Sequence, residues 1–236
     1  MKPFNVQRDE LLAAINARAA SVGTDCGMNA SKASRKLLCW QHYFRKQDDS
    51  KIAAELLAGT RAAMLETATY LTLGLGRAAL MAMRTEVDLF LSYTYFRDHP
   101  AEWTQLKETG NGFMLREAIY RYHECMSPRF KERLAILEQA FKLCLIDVYR
   151  ILSAHIHGQS AMTAPAAGMM TDLVVSQPFA ESIIELQRQC AETTSNFLFA
   201  VYAEQWPSLP EEILIEILDK LSPKQQTAFF GEKKKQ

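Results

Sequence analysis

Apolar positions along this chain recur at steps of three and four, the period of a helix with one buried face, and few β-branched stretches alternate. Helices are therefore expected almost throughout. The longest run lies between Lys131 and Gly158, where Leu134, Leu137, Phe141, Cys144 or Leu145, Val148 and Leu152 line up as one stripe. A core-facing helix is predicted there, with Ser127 as its N-cap and Pro128 in its first turn. The opposite side of that helix is largely apolar too: Gln139, Leu143, Ile146 and Ala154 share it with Arg150 and His157. A helix greasy on both sides is either buried deeply in a bundle or covered by a partner chain.

The same pattern places the other helices. Residues from about 5 to 21 form a first one, ended by Val22-Gly23-Thr24-Asp25, and a second runs from Asn29 or Ser31 to about Gln47. A third spans Ser50 to Leu73, and Leu73-Gly74-Leu75-Gly76 leads into a helix from Arg77 to about Arg97. Those glycines lack the preceding strand and the lysine of a phosphate loop, so they read as a close-packing site or a kink. Pro100 punctuates, a helix follows from about Ala101 to Thr109, and Gly110-Asn111-Gly112 turns the chain into a helix from Phe113 to Met126. Gln159 to Gln177 reads as a flexible loop or a lid beside His157. Pro178 starts a helix reaching about Glu204, stopped by Trp206-Pro207. From Ser208 as N-cap, an acid-led amphipathic helix runs to about Ser222; its opening superficially resembles an F-box but stops after one helix. Gly231 to Gln236 is expected to be a disordered basic tail.

The length of 236 residues suits one large domain with appendages, drawn as N-terminal helices over 1–50, a helical domain over 51–206 and a C-terminal helix with tail over 207–236. Lysine plus arginine equals aspartate plus glutamate at 27 each, so no global basic field attracts nucleic acid, and any RNA contact must be local. The five cysteines are odd in number and lack paired metal spacing, and no apolar run is long enough for a membrane span. A reducing cytoplasm, no membrane and no metal or other cofactor are the expectations.

The candidate chemistry sits on the motif run. Arg150 and His157, seven residues apart, are roughly 20° from alignment on a helix, whereas His155 lies about 140° from Arg150. A guanidinium holds a phosphodiester, and an imidazole moves protons near neutrality, a pairing suited to RNA cleavage without a metal. The bland alternative is a structural arginine with a helix-end histidine.

Arg150, six intervening residues and His157, within Tyr149-Arg150-Ile151-Leu152-Ser153-Ala154-His155-Ile156-His157-Gly158, resemble the arginine-x(4 to 6)-histidine signature of the HEPN superfamily. Arg150 with His155 satisfies the four-residue version. The stretch from Arg84 through Glu86 and Asp88 to Phe96 and Pro100 is similar to the arginine-plus-acid helix of HEPN-like proteins, and the likeness covers roughly 55 to 205. The resemblance implies an all-α HEPN-like helical bundle, here with additional N- and C-terminal helices, that dimerises across the motif helices and joins two arginine-histidine pairs in one site. It implies an endoribonuclease of a toxin–antitoxin or antiviral defence system, with an antitoxin or defence protein as a possible partner. His157 would be general acid or base and Arg150 would stabilise charge on phosphorus oxygens, with His155 structural or supporting. Ile151 follows the arginine where many active members carry a polar residue, which favours the alternative of a catalytically inactive HEPN-like scaffold binding a partner protein or nucleic acid.

Other residues could support the site. Arg84 and Asp88, one turn apart, form an ion pair or, following the resemblance, Glu86 or Asp88 orients the catalytic arginine; Ser153 lies on the motif helix itself. Arg116, Arg121 and Arg129, with Lys131 and Arg133, line an RNA path or simply a solvated face. Lys32, Arg35, Lys36, Arg45 and Lys46, interleaved with Trp40, His42, Tyr43 and Phe44, form a basic and aromatic RNA surface or an ordinary amphipathic helix.

Overall fold

Helices account for nearly all the regular structure in the computed structural model, which describes residues 2–47, 51–159, 163 and 166–231. The fold is all-α, with no strand among the described residues. In order the helices are α1 (Phe4–Arg18), α2 (Thr24–Ala33), α3 (Arg35–Gln47), α4 (Ala54–Leu73), α5 (Gly76–Phe96), α6 (Pro100–Thr109), α7 (Arg116–Met126), α8 (Phe130–Phe141), α9 (Leu145–His157), α10 (Gln177–Val201), α11 (Glu211–Lys220) and α12 (Pro223–Phe230). Among the described residues no helix is long and apolar enough to cross a membrane. The expected helix start at Ser50, part of the 159–177 loop and the tail beyond Gly231 lie outside the described residues.

Several boundaries differ from expectation. The long motif helix is two helices: Lys142 takes a left-handed conformation at φ 54°, its N–H bonds back to Glu138 O, and the chain restarts at Leu145. On either side of the break stripe positions are buried, Leu134 and Leu137 in α8 and Leu145, Val148 and Leu152 in α9, while Phe141 and Cys144 are half-buried. Ser127 is the extended C-cap of α7 rather than an N-cap, and Arg129, left-handed at φ 57°, stands before α8, leaving Pro128 outside the first turn. Gly23 does not end a helix; a π-helical turn, Ala19–Gly23, carries α1 into α2. Gly23 and Gly27 lie against the Thr72 backbone and side chain of α4, where a Cβ on either would collide. They are close-approach glycines, and the corner falls instead at Ser34, between α2 and α3.

The chain groups into two compact units, each assembled from three separated segments. The first comprises 1–35, 60–87 and 146–191. Its interior holds Leu71, Leu80, Met83, Val87, Val148, Leu152, Ile183 and Leu186. Gly74, at φ 77°, turns α4 into α5 and packs on the Arg18 side chain, whose guanidinium donates to Gln177 Oε1 at 3.0 Å. Positive φ is the conformation that glycine adopts at least cost.

The second unit comprises 36–59, 88–145 and 192–236. Its centre is aromatic: Phe44 stacks on Trp40 at 5.6 Å and meets Tyr93 and Tyr202, each at 5.1 Å. Lys36 is clamped between Glu192 and Glu216 of α11. Arg133, buried and not part of a solvated face, donates to Phe229 O and Pro128 O, each at 3.0 Å, and to Glu204 at 2.7 Å. The amphipathic helix expected from Ser208 begins at Glu211, and α12 follows it without having been expected from apolar periodicity. Its signal is local: Ser222 and Gln225 exchange bonds as a capping box, with Pro223 in the first turn.

Candidate functional site

The outer face of α9 carries the motif. Val148 and Leu152 turn inward, so Arg150 and His157, on the other side of a 3.6-residue helix, face solvent. The Arg150 side chain is 75% exposed and its Nη2 lies 3.0 Å from Asp147 Oδ1, one turn earlier. Ile146 is 49% and Ile151 43% exposed beside it. Because the helix breaks before Leu145, Gln139 and Leu143 do not extend this face, which reduces to Ile146, Arg150, Ala154 and His157. Arg150 is thus exposed and paired with a carboxylate of its own helix.

His155 points elsewhere. It is half-buried, and with Leu80, Ile151, Phe179, Ser182 and Ile183 it lines an open cleft of 220 Å³. Its ring lies 6.3 Å from that of Phe179, and burial pulls its pKa below the ordinary imidazole value.

Arg84 and Ser153, both expected near the site, do meet. Arg84 Nη1 donates to Ser153 Oγ at 2.7 Å, Ser153 donates to Tyr149 O at 2.9 Å, and the guanidinium lies 3.8 Å over the Tyr149 ring. Arg77, expected only as the start of a helix, donates to Ile156 O at 3.1 Å. Two arginines of α5 therefore fix the rotation of α9 and with it the direction of Arg150 and His157. Their spacing of seven residues on one helix face is the signal that could have found them.

The carboxylates divide. Glu86 is fully buried and accepts from Gln187 at 3.0 and 2.9 Å, while Asp88 is half-buried and belongs to the second unit. Arg116, Arg121 and Arg129 also belong to the second unit. Arg121 is exposed, Arg116 pairs with Glu117 at 2.5 Å, and Arg129 pairs with Glu132 at 3.0 Å and donates to Ala228 O. The aromatic residues of α3 are core rather than a stacking platform, since Trp40, Tyr43 and Phe44 are buried.

A second cavity, 780 Å³, is lined, among the described residues, by Trp206, Leu218, Pro223, Gln226, Thr227, Phe230 and Gly231, none of them charged. Among the described residues no three His, Cys, Asp or Glu side chains gather as metal ligands. Comparison with protein-family models, curated proteins and solved structures finds no match to this chain.

Proposed function

We propose that this chain is a metal-independent endoribonuclease with a HEPN-like bundle, acting as a homodimer in a defence or toxin–antitoxin system. The observation that carries the reading is the placement of Arg150 and His157 on one solvent-facing side of α9, with exposed Ile146 beside them. A second copy laid over that face would cover the apolar residue, exclude water and bring a second arginine-histidine pair to the first. Arg150 would then exchange Asp147 for a phosphodiester, and its charge would stabilise the developing oxyanion. His157 would take the proton from the 2′-hydroxyl or return one to the leaving 5′-oxygen.

The test is cleavage of RNA by the purified chain in EDTA, with products examined for 2′,3′-cyclic phosphate ends. Arg150→Ala and His157→Ala, folded and dimeric, are each expected to lower the rate by about 100-fold or more. Cleavage indifferent to both changes, or none by the wild type across varied RNAs, would move the reading to an inactive HEPN-like scaffold that binds a partner protein or nucleic acid. One observation favours that second reading: Asp147 already neutralises Arg150 within its own helix.

A further inference from the structure

The geometry points to a buried proton-binding site in the first unit, in which Glu86 of α5 holds a proton in the folded chain and Gln187 of α10 and Ser34 of the α2–α3 corner serve both its protonated and its ionised form. Glu86, Gln187 and Ser34 are 0%, 0% and 2% exposed. Gln187 Nε2 faces three acceptors at once, Glu86 Oε1 at 3.0 Å, Glu86 Oε2 at 2.9 Å and Ser34 Oγ at 2.7 Å, while Gln187 Oε1 is buried with no partner. An amide nitrogen has only two hydrogens.

No cation among the described residues acts on the carboxyl. Among the described residues, the ionisable neighbour recorded from α10 is the Cys190 thiol, itself pushed up by burial and by Glu86, and the α2–α3 corner contributes the Ser34 hydroxyl. The cations adjacent in sequence are engaged elsewhere, Arg84 with Ser153 and Arg188 with Glu185. A lone buried carboxylate is strongly disfavoured in such surroundings, and protonation removes the penalty. Burial accordingly pushes the Glu86 carboxyl up to about 8, against the lowering effect of the Gln187 hydrogen bond.

The amide suits either state by turning over. With its nitrogen toward Glu86 it serves the carboxylate; with its oxygen toward Glu86 it accepts the proton of the acid and that of Ser34, which otherwise donates to Ala30 O at 3.2 Å. Loss of the proton places a charge among α2, α5 and α10, so alkaline conditions loosen this unit. Stability from this group is present in full below the ordinary carboxyl value and is lost as pH rises through about 8, because the unfolded chain has already released the proton.

Isotope-edited infrared spectroscopy of the full chain with carbon-13 glutamate tests the site. At neutral pH the wild type is expected to show one protonated glutamic carboxyl, titrating away in the mildly alkaline range and missing from Glu86→Gln. Gln187→Met removes the donor to the carboxylate and the acceptor for the acid; because the bond to the charged form is the stronger one, the titration should shift to higher pH. No protonated band in the wild type at neutral pH, retention of the band in Glu86→Gln, or an unshifted titration in Gln187→Met would each overturn the proposal. The wild-type and Gln187→Met measurements decide the matter even where Glu86→Gln fails to fold.

Discussion

Arg150 reaches solvent on a short leash. Its partner Asp147 is also exposed, and a pair of this kind contributes about 0.5 kcal/mol or less to stability, so its main effect is on the field an approaching phosphate meets. Asp147→Asn is therefore expected to leave thermal unfolding nearly unchanged while tightening RNA binding several-fold, as measured by filter binding at low salt. Weaker binding in that variant would show that Asp147 orients the guanidinium rather than competing for it. The neighbouring residues explain what single positions reveal in a sequence. The phase of Arg150 against Val148 and Leu152 was legible because one helix's period fixes it. The engagement of Arg84 with Ser153 and Tyr149 was not, since it depends on how α5 packs against α9.

At the scale of elements, helix content and the cores of α4, α5 and α10 follow from apolar periodicity, whereas breaks follow from features with little sequence signature. Lys142 carries no glycine or proline signal, yet it holds a left-handed conformation that costs an ordinary residue roughly 1–2 kcal/mol. Lys142→Gly should relieve that strain, offset in part by greater unfolded-chain entropy, and raise stability by about 1 kcal/mol in denaturant unfolding. A loss of similar size would mean that the lysine side chain contributes more than its backbone costs. Gly23 is the converse case, a glycine with the look of a stop that is a packing contact with Thr72. Composition alone does not distinguish a glycine that frees the backbone from one that makes room for a neighbour. The capping box of α12 is legible in Ser222, Pro223 and Gln225, but eight residues are too short a window for apolar periodicity to mark the helix.

For the whole molecule, the two units respond to opposite ends of the pH range. Glu86 weakens the first unit as pH rises through about 8. In the second, burial and the nearby charge of His99 lower His123 to about 4, with Nε2 2.9 Å from Thr94 Oγ1. The folded value lies below the unfolded one, so this contribution is present in full above the ordinary imidazole value and is lost as pH falls toward about 4. Hydrogen exchange followed by mass spectrometry should show the first halves of α5 and α10 losing protection under alkaline conditions and α7 under acid. Uniform loss across both units at either extreme would contradict this division. The neutral overall charge was legible from composition, and it predicts a shallow salt dependence of any RNA binding, with a log–log slope of about −1 to −2 for one or two phosphate contacts.

The interruption at Lys142 has a consequence for how this chain can change over generations. Adding one residue to an unbroken helix turns everything beyond it by about 100°, which would swing Arg150 and His157 from solvent into the interior. With the helix restarted at Leu145, the phase of α9 is set by its own buried residues and by Arg77 and Arg84. Insertions or deletions at 142–144 are thereby absorbed in the joint, so length variation at that point, and not within α9, is the kind this architecture tolerates.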